Sequence, residues 1–289
     1  MKIHPPCISC ILDTALRTVE LVAQDRWPEY VAPLADLLRT SFSPTLTPGM
    51  LATKIQYDLY DALGEKDPYR AIRKASNNLA ELILAEIIQT NPPASLEQVS
   101  LLAAAGNAID FALETNVEES MVKVRQAVEQ GFVEPHSEEF EAALRGANEV
   151  LFLLDNAGEI VFDRCLAAWM KEHYGVRISV VVNATPILND AIPEDLETTG
   201  FSNLIEEIIL LNPGALGFPT GPLPLNLERK LDSVDVVVCK GMANFEALDE
   251  CKVNPPVVYI LRAKCRPIAS RFGVPLGSNV LVVRRQAAS

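Results

Sequence analysis

The sequence predicts an α/β fold: a mostly parallel sheet with helices on both faces, preceded by an all-helical N-terminal region. Three observations carry that prediction. Up to about residue 147 the chain repeats helical apolar spacing. From Ala147 onward, short apolar runs alternate with helix-like segments, as in a parallel sheet. The run Val150 to Leu154 is apolar without alternation, and Asp155-Asn156-Ala157-Gly158-Glu159 follows at once. That is the pattern of a buried central strand ending in a tight turn. Residues 1–147 are therefore read as a helical domain and 148–289 as an α/β domain carrying the site.

The helical elements follow in order. Ile11 to Gln24 has helical spacing at Ile11, Leu12, Ala15, Val19, Leu21 and Val22. Pro28, Pro33, Pro44 and Pro48 then break the chain into short helices and turns. Met50 to Leu63 puts Leu51, Ile55, Leu59 and Leu63 on one stripe. Pro68 can open the next helix, which carries Ile72, Leu79, Leu82, Leu84 and Ile87 and ends before Pro92-Pro93. Ser95 with Gln98 forms a capping-box pattern opening a helix to Leu113. Asn107 and Asp110 interrupt its apolar run, so they are either satisfied within the core or line a site. Asn116 to Gly131 and Ser137 to Gly146 read as solvated helices.

In the second half, Val150–Leu154 is the first strand and Glu159–Tyr174 a helix stopped by Gly175. Arg177–Asn183, Glu207–Leu211, Val234–Cys239, Val257–Leu261 and Val280–Val283 supply five further strands. The linker Asn212–Pro224 is too rich in Gly and Pro for regular structure and reads as a surface loop or a lid.

Composition sets limits. A chain of 289 residues with 49% apolar content has enough core for one large domain or two modest ones. It has no apolar run long enough to span a membrane, and its start lacks a secretory apolar core, so cytoplasm is the default. The net charge of −13 argues against a nucleic-acid surface and against anionic membrane. It leaves room for a small anionic substrate, because a bound cation and a lysine can dominate a local site. The six cysteines lack the spacing of a disulfide scaffold. Cys7 and Cys10 form the only C-x-x-C, which reads as a reduced apolar anchor, a redox pair or part of a metal site.

Three polar clusters follow strands: Asp155, Asn156 and Glu159; Asn189 and Asp190 with Asp195 beyond; and Lys240-Gly241 with Asn244 and Glu246. In a parallel sheet all three fall at one edge, where open α/β sheets bind ligands. Singly, each has a plain structural role: Asp155 as a helix cap, Lys240 as an exposed strand end, Asn244 and Glu246 as a helix turn. Together, Asp155, Asn156 and Asp190 offer hard oxygen ligands for a cation such as Mg²⁺ or Mn²⁺. Lys240 offers a point charge for phosphate, and Gly241 permits close backbone approach. Dinucleotide, triphosphate and serine-hydrolase signatures are absent, and His4, His136 and His173 fall outside the expected site.

Taken together, Cys7-x-x-Cys10, GNAIDF at 106–111, DNAGE at 155–159, NDA at 189–191 and KGMANFEAL at 240–248 resemble the metal-dependent damage-control phosphatases, formerly domain of unknown function eighty-nine. The match spans nearly the whole chain, and the cysteine pair resembles the microbial subfamily. One departure is IDFAL, where the family pattern has a glycine after the Phe. The resemblance implies a helical domain on a Rossmann-like three-layer α/β/α domain. It also implies phosphatase action on small phosphometabolites with Mn²⁺, Mg²⁺, Co²⁺ or Ni²⁺. By motif position, Asp155, Asn156 and Asp190 would be metal ligands and Lys240 a phosphate contact. Asn107, Glu159, Asn189, Gly241, Asn244 and Glu246 would line the substrate site. The attacking group is left between water and Asp155. Two alternatives remain: a small-molecule-binding or S-adenosylmethionine-dependent methyltransferase protein using the same cleft, and a redox or metal carrier centred on Cys7 and Cys10.

Overall fold

Alternation along each strand builds the core of the α/β half. A computed structural model describes residues 1–109, 116–219 and 221–285. Its strands are β1 (Glu149–Leu153), β2 (Arg177–Asn183), β3 (Ile205–Leu211), β4 (Val236–Lys240), β5 (Val257–Arg262) and β6 (Asn279–Arg284). They lie in the order 3-2-1-4-5-6, and all pairings are parallel except β5 with β6. Val150, Phe152, Ile178, Val180, Val236 and Val238 face one layer; Leu151, Leu153, Val181, Val237 and Cys239 face the other. With both faces covered, a strand can be apolar at every position, which is why the runs do not alternate in sequence.

The helices are α1 (Pro5–Ala23), α2 (Pro28–Ser41), α3 (Pro48–Leu63), α4 (Arg70–Thr90), α5 (Leu96–Gly106), α6 (Val117–Gln130), α7 (Ser137–Leu144), α8 (Glu159–Tyr174), α9 (Pro193–Thr198), α10 (Leu225–Ser233), α11 (Met242–Leu248) and α12 (Arg266–Phe272). On the first face, α8 and α9 share a core with α5 and α7 from the N-terminal half. The second face is covered by α10, α11 and α12. Helices α1, α2 and α3 form their own core of Ile11, Ala15, Val19, Leu34, Leu51, Ile55 and Leu59. Among the described residues, no helix is long and apolar enough to cross a membrane.

Local signals explain the ends. Thr47 caps α3 through the Met50 N–H, and Asn116 caps α6 through those of Glu118 and Glu119. Ser95 Oγ accepts from the Gln98 N–H at 3.2 Å, while Gln98 Oε1 reaches the Ala94 N–H at 2.7 Å, a capping box shifted by one residue.

Several boundaries differ from expectation. Helix α1 starts at Pro5 rather than at Ile11, so Cys7 and Cys10 are helical. Helix α4 starts at Arg70, not Pro68. Helix α5 ends at Gly106 instead of Leu113, and Asp110 lies outside the described residues. The linker after β3 is not a free surface loop: Ala215 exchanges two backbone bonds with the Asn183 amide, Leu216 N–H donates to Thr53 Oγ1 and Phe218 is buried.

Candidate active site

Strand β1 is central, and the chain beyond it meets the chain beyond β2. The Ala191 N–H donates to the Asp155 carbonyl and the Ala157 N–H to the Asn189 carbonyl, both at 2.9 Å. Asn156 and Asp190 pair as an antiparallel bridge between them. Two turns 35 residues apart in sequence are thereby zipped side by side at the carboxyl edge of the sheet, against the switch point between β1 and β4.

Each side chain has a defined setting. Among the described residues, nothing donates a hydrogen bond to the Asp155 carboxylate. Its pKa stands well above the usual carboxylate range because of burial, with Glu159 and Asp190 adding to the rise and Lys240 and Lys264 opposing it. Asp190 accepts from Asn183 Nδ2 at 3.1 Å, and burial together with Glu159 pushes it up to about 8. Glu159 is 1% exposed, and its Oε1 accepts from Asn107 Nδ2 at 2.5 Å and from Asn156 Nδ2 at 2.9 Å. With its amide N–H spent on Glu159, Asn156 keeps its carbonyl oxygen for another partner. Glu159 Oε2 and Asn107 Oδ1 are buried with no hydrogen-bond partner among the described residues. Buried polar atoms left open in this way fit a group bound beside them.

Lys240 is 1% exposed and directs its ammonium beneath this cluster, to Asp163 Oδ1 at 2.5 Å and the Ala103 carbonyl at 2.9 Å. Asp163 is itself fully buried; burial pushes it up to about 7 against the pull of Lys240, and its Oδ2 has no hydrogen-bond partner among the described residues. Lys240 therefore serves first as a counter-charge within the protein. Gly241 lies against Asp155, and Asn244 ties α11 to the sheet by donating to the carbonyls of Leu154 (2.8 Å) and Lys240 (2.9 Å).

A cavity of ≈ 290 Å³ opens above the zipped turns. Asn107, Asp155, Asn156, Asn189 and Asp190 form part of its lining, and Ile11, Ala52, Leu216, Met242 and Pro267 are among its apolar walls. Glu246 and both Cys7 and Cys10 line it too. The structure thus brings together residues from five segments that the sequence offered separately. Asp195 does not join them: it receives the Ile192 N–H (3.0 Å) and Asn77 Nδ2 (2.8 Å) and sits against Arg73.

Four contributors escaped the sequence reading. Lys264, exposed after β5, lines the cavity and acts on Asp155, supplying the accessible cation that Lys240 does not. Cys265 follows it into the same wall, and burial pushes its thiol up, as it does those of Cys7 and Cys10. Leu188 lines the cavity at φ +46°, and its N–H donates to Tyr60 Oη of α3 at 2.9 Å. Asn183 orients Asp190. The only sequence signal among these was an Asn at the end of an apolar strand.

Among the described residues, no group of three or more His, Cys, Asp or Glu side chains is placed to hold a metal ion. That holds for the thiols as well. Asp155, Asn156 and Asp190 instead offer two carboxylates and an amide, an all-oxygen donor set of the type hard cations take. The carboxylates of Asp155, Glu159 and Asp163 act on one buried ammonium, and Asp190 adds a further carboxylate beside Asp155, so the donor set and the local charge both fit a divalent cation.

Residues 3–280 match the model of the damage-control phosphatase ARMT1-like domain. The chain is 30% identical over 292 residues to "Damage-control phosphatase" of Archaeoglobus fulgidus, covering 98% of this chain and 99% of that one. It is 28% identical to "Damage-control phosphatase PH1575" of Pyrococcus horikoshii, covering 97% of each. The crystal structure of a DUF89 family protein (PH1575) from Pyrococcus horikoshii superimposes with a TM-score of 0.89 at 27% identity, covering 98% of this chain and 99% of that one. On a match of this length, supported by the same fold, the chain belongs to the damage-control phosphatase ARMT1-like family.

Proposed function

We propose that this protein is a metal-dependent phosphoric monoester hydrolase of small phosphorylated metabolites, with its cation held by Asp155, Asn156 and Asp190. The observation that carries the reading is the zipped pair of turns after β1 and β2, which sets those three side chains together beside the cavity. Among Mn²⁺, Mg²⁺, Co²⁺ and Ni²⁺, carboxylate and amide oxygens suit Mg²⁺ and Mn²⁺ best. A cation bound there would neutralise phosphate charge and polarise the ester.

The chain's own residues do the rest. Lys240 and Lys264 favour the ionised form of Asp155. Glu159 holds the Asn156 amide by its N–H, so the carbonyl oxygen is presented. Lys264 is the accessible ammonium for a phosphate oxygen, and charge placed where the transferring group gains it is the main source of rate in such reactions. The apolar walls keep water from the alcohol half of the ester.

The test is phosphate release from a panel of phosphate esters, with EDTA and then each of the four cations restored, in the wild type and Asp155→Ala. Activity should vanish with chelator and return with a cation. Asp155→Ala should lose about 100-fold or more while unfolding at nearly the same temperature. Absence of release with every cation would overturn the hydrolase reading and bring forward methyl transfer or simple binding in this cleft. A metal-independent thermal shift with S-adenosylmethionine would then identify methyl transfer.

A further inference from the structure

Glu246 is a carboxylate with nothing to hold. It sits in α11, is 9% exposed and lines the cavity. Among the described residues, none donates a hydrogen bond to its carboxylate and none forms an ion pair with it. The Met1 ammonium bonds its backbone carbonyl and pairs with Glu250 at 3.0 Å, so it acts on the side chain only from a distance. A buried polar group left open toward a cavity is costly unless a ligand completes it.

Its position relative to the carboxylate cluster matters. Burial alone pushes the carboxyl up to about 7, with the Met1 ammonium opposing; neither Asp155 nor Asp190 is among the groups that act on it. Glu246, on α11, and the Asp155 cluster, after β1 and β2, line the same cavity from different elements. The charge of Glu246 reaches Cys7, Cys10 and Cys265 instead, which places it among the thiols of the wall. Helix α11 sets the separation: Gly241 packs on Asp155 at the start, and Glu246 follows five residues later. At the α-helical rise this is about 7 Å along the axis, the reach of a short carbon chain. Ile11, Leu216 and Met242 are among the apolar residues that line the same cavity.

We propose that Glu246 is the specificity-determining residue of this cavity, accepting a hydrogen bond from a hydroxyl or amine on the alcohol half of a phosphate monoester. This rests on the hydrolase reading for the phosphate end, where Lys264 and the Asp155 cluster lie. The preferred substrate class is then a phosphate ester with a short, mostly apolar body and a donor at its far end. A polyol bearing donors along its whole length would leave most of them without partners against these walls.

The experiment compares alkyl phosphates of increasing chain length that end in an amine, a hydroxyl or a methyl group. It uses the wild type, Glu246→Gln and Glu246→Leu, with the cation present. The quantity read is the ratio of kcat/KM values within each protein, in which any loss of folded enzyme cancels. The wild type should favour a donor-bearing ester by about tenfold or more over its methyl counterpart, and Glu246→Leu should lose that preference. Glu246→Gln should keep a preference for the hydroxyl and lose one for the amine, because its amide oxygen accepts but carries no charge. An equal ratio in wild type and Glu246→Leu would overturn the proposal. Binding of the matching non-hydrolysable phosphonates, followed by ligand-observed NMR, separates this from the hydrolase reading. If no ester is cleaved, donor-dependent binding that disappears in Glu246→Leu still supports the subsite, and donor-independent binding overturns it.

Discussion

Gly241 makes room for Asp155: a β-carbon built on Gly241 would overlap the Asp155 carboxylate, which rests directly against the glycine backbone. Gly241 also holds φ +75° and ψ 171°, a conformation that side-chain-bearing residues avoid. One residue after β4 thus leaves the space that the side chain of a residue after β1 occupies. Gly241→Ala should cost roughly 1–3 kcal/mol of stability from backbone strain. It should also lower phosphate release by about 100-fold through displacement of the carboxylate. Chemical denaturation and phosphate release together check this, and retained activity would show that Asp155 does not need that position.

The Asp163–Lys240 pair predicts an asymmetry between its two members. Asp163→Asn removes the carboxylate in direct contact with the buried ammonium and leaves Glu159 and Asp155 to act on it from a distance, at a cost of about 3–5 kcal/mol. Lys240→Met leaves a carboxyl that can neutralise itself by taking a proton, as its pKa of about 7 already indicates, so the smaller loss is expected there. Urea unfolding of both variants measures the difference. A larger loss in Lys240→Met would contradict this account of the pair.

Lys264 should behave in the opposite way to Lys240. Because it is exposed, Lys264→Met should leave stability within about 0.5 kcal/mol. Its kcat/KM for phosphate esters should fall roughly tenfold or more, and the deficit should shrink as salt rises. Unchanged kinetics at low salt would move the phosphate contact elsewhere.

Stability of the metal-free protein should fall with rising pH. Asp163 and Glu246 both have folded pKa values raised to about 7, above their unfolded values near 4. The folded state therefore binds more protons between those limits. Its advantage is complete below about pH 4 and is lost as pH rises through about 7, by roughly 4 kcal/mol per group at most. Unfolding midpoints from pH 5 to 8 should decline, and Glu246→Gln should flatten the curve. A rising midpoint over that range would reverse the assigned sign.

Much of the architecture was legible locally. Arg177–Asn183 as a strand and Glu159–Tyr174 as a helix stopped by Gly175 were read to the residue, because an apolar run and a left-handed glycine are signals carried by adjacent positions. The motif residues after β1, β2 and β4 were legible too, since a parallel sheet brings strand ends to one edge whatever lies between them.

What the sequence by itself determined, then, was the six strands, the helical character of the N-terminal half, the edge on which the polar clusters gather and the family. Only the tertiary structure decided the use of each charge. Lys240 was expected at the phosphate but turns inward to Asp163, a residue on α8 that no spacing pairs with it. Lys264, Cys265, Tyr60 and Asn183 reach the site from segments without a shared motif. Glu246, on α11, has no side-chain partner among the described residues. Periodicity encodes which face of an element is buried. Which buried group meets which depends on the register of β1 against β4 and on how α1, α3 and α5 pack across the chain, long-range relations that no window of adjacent residues contains.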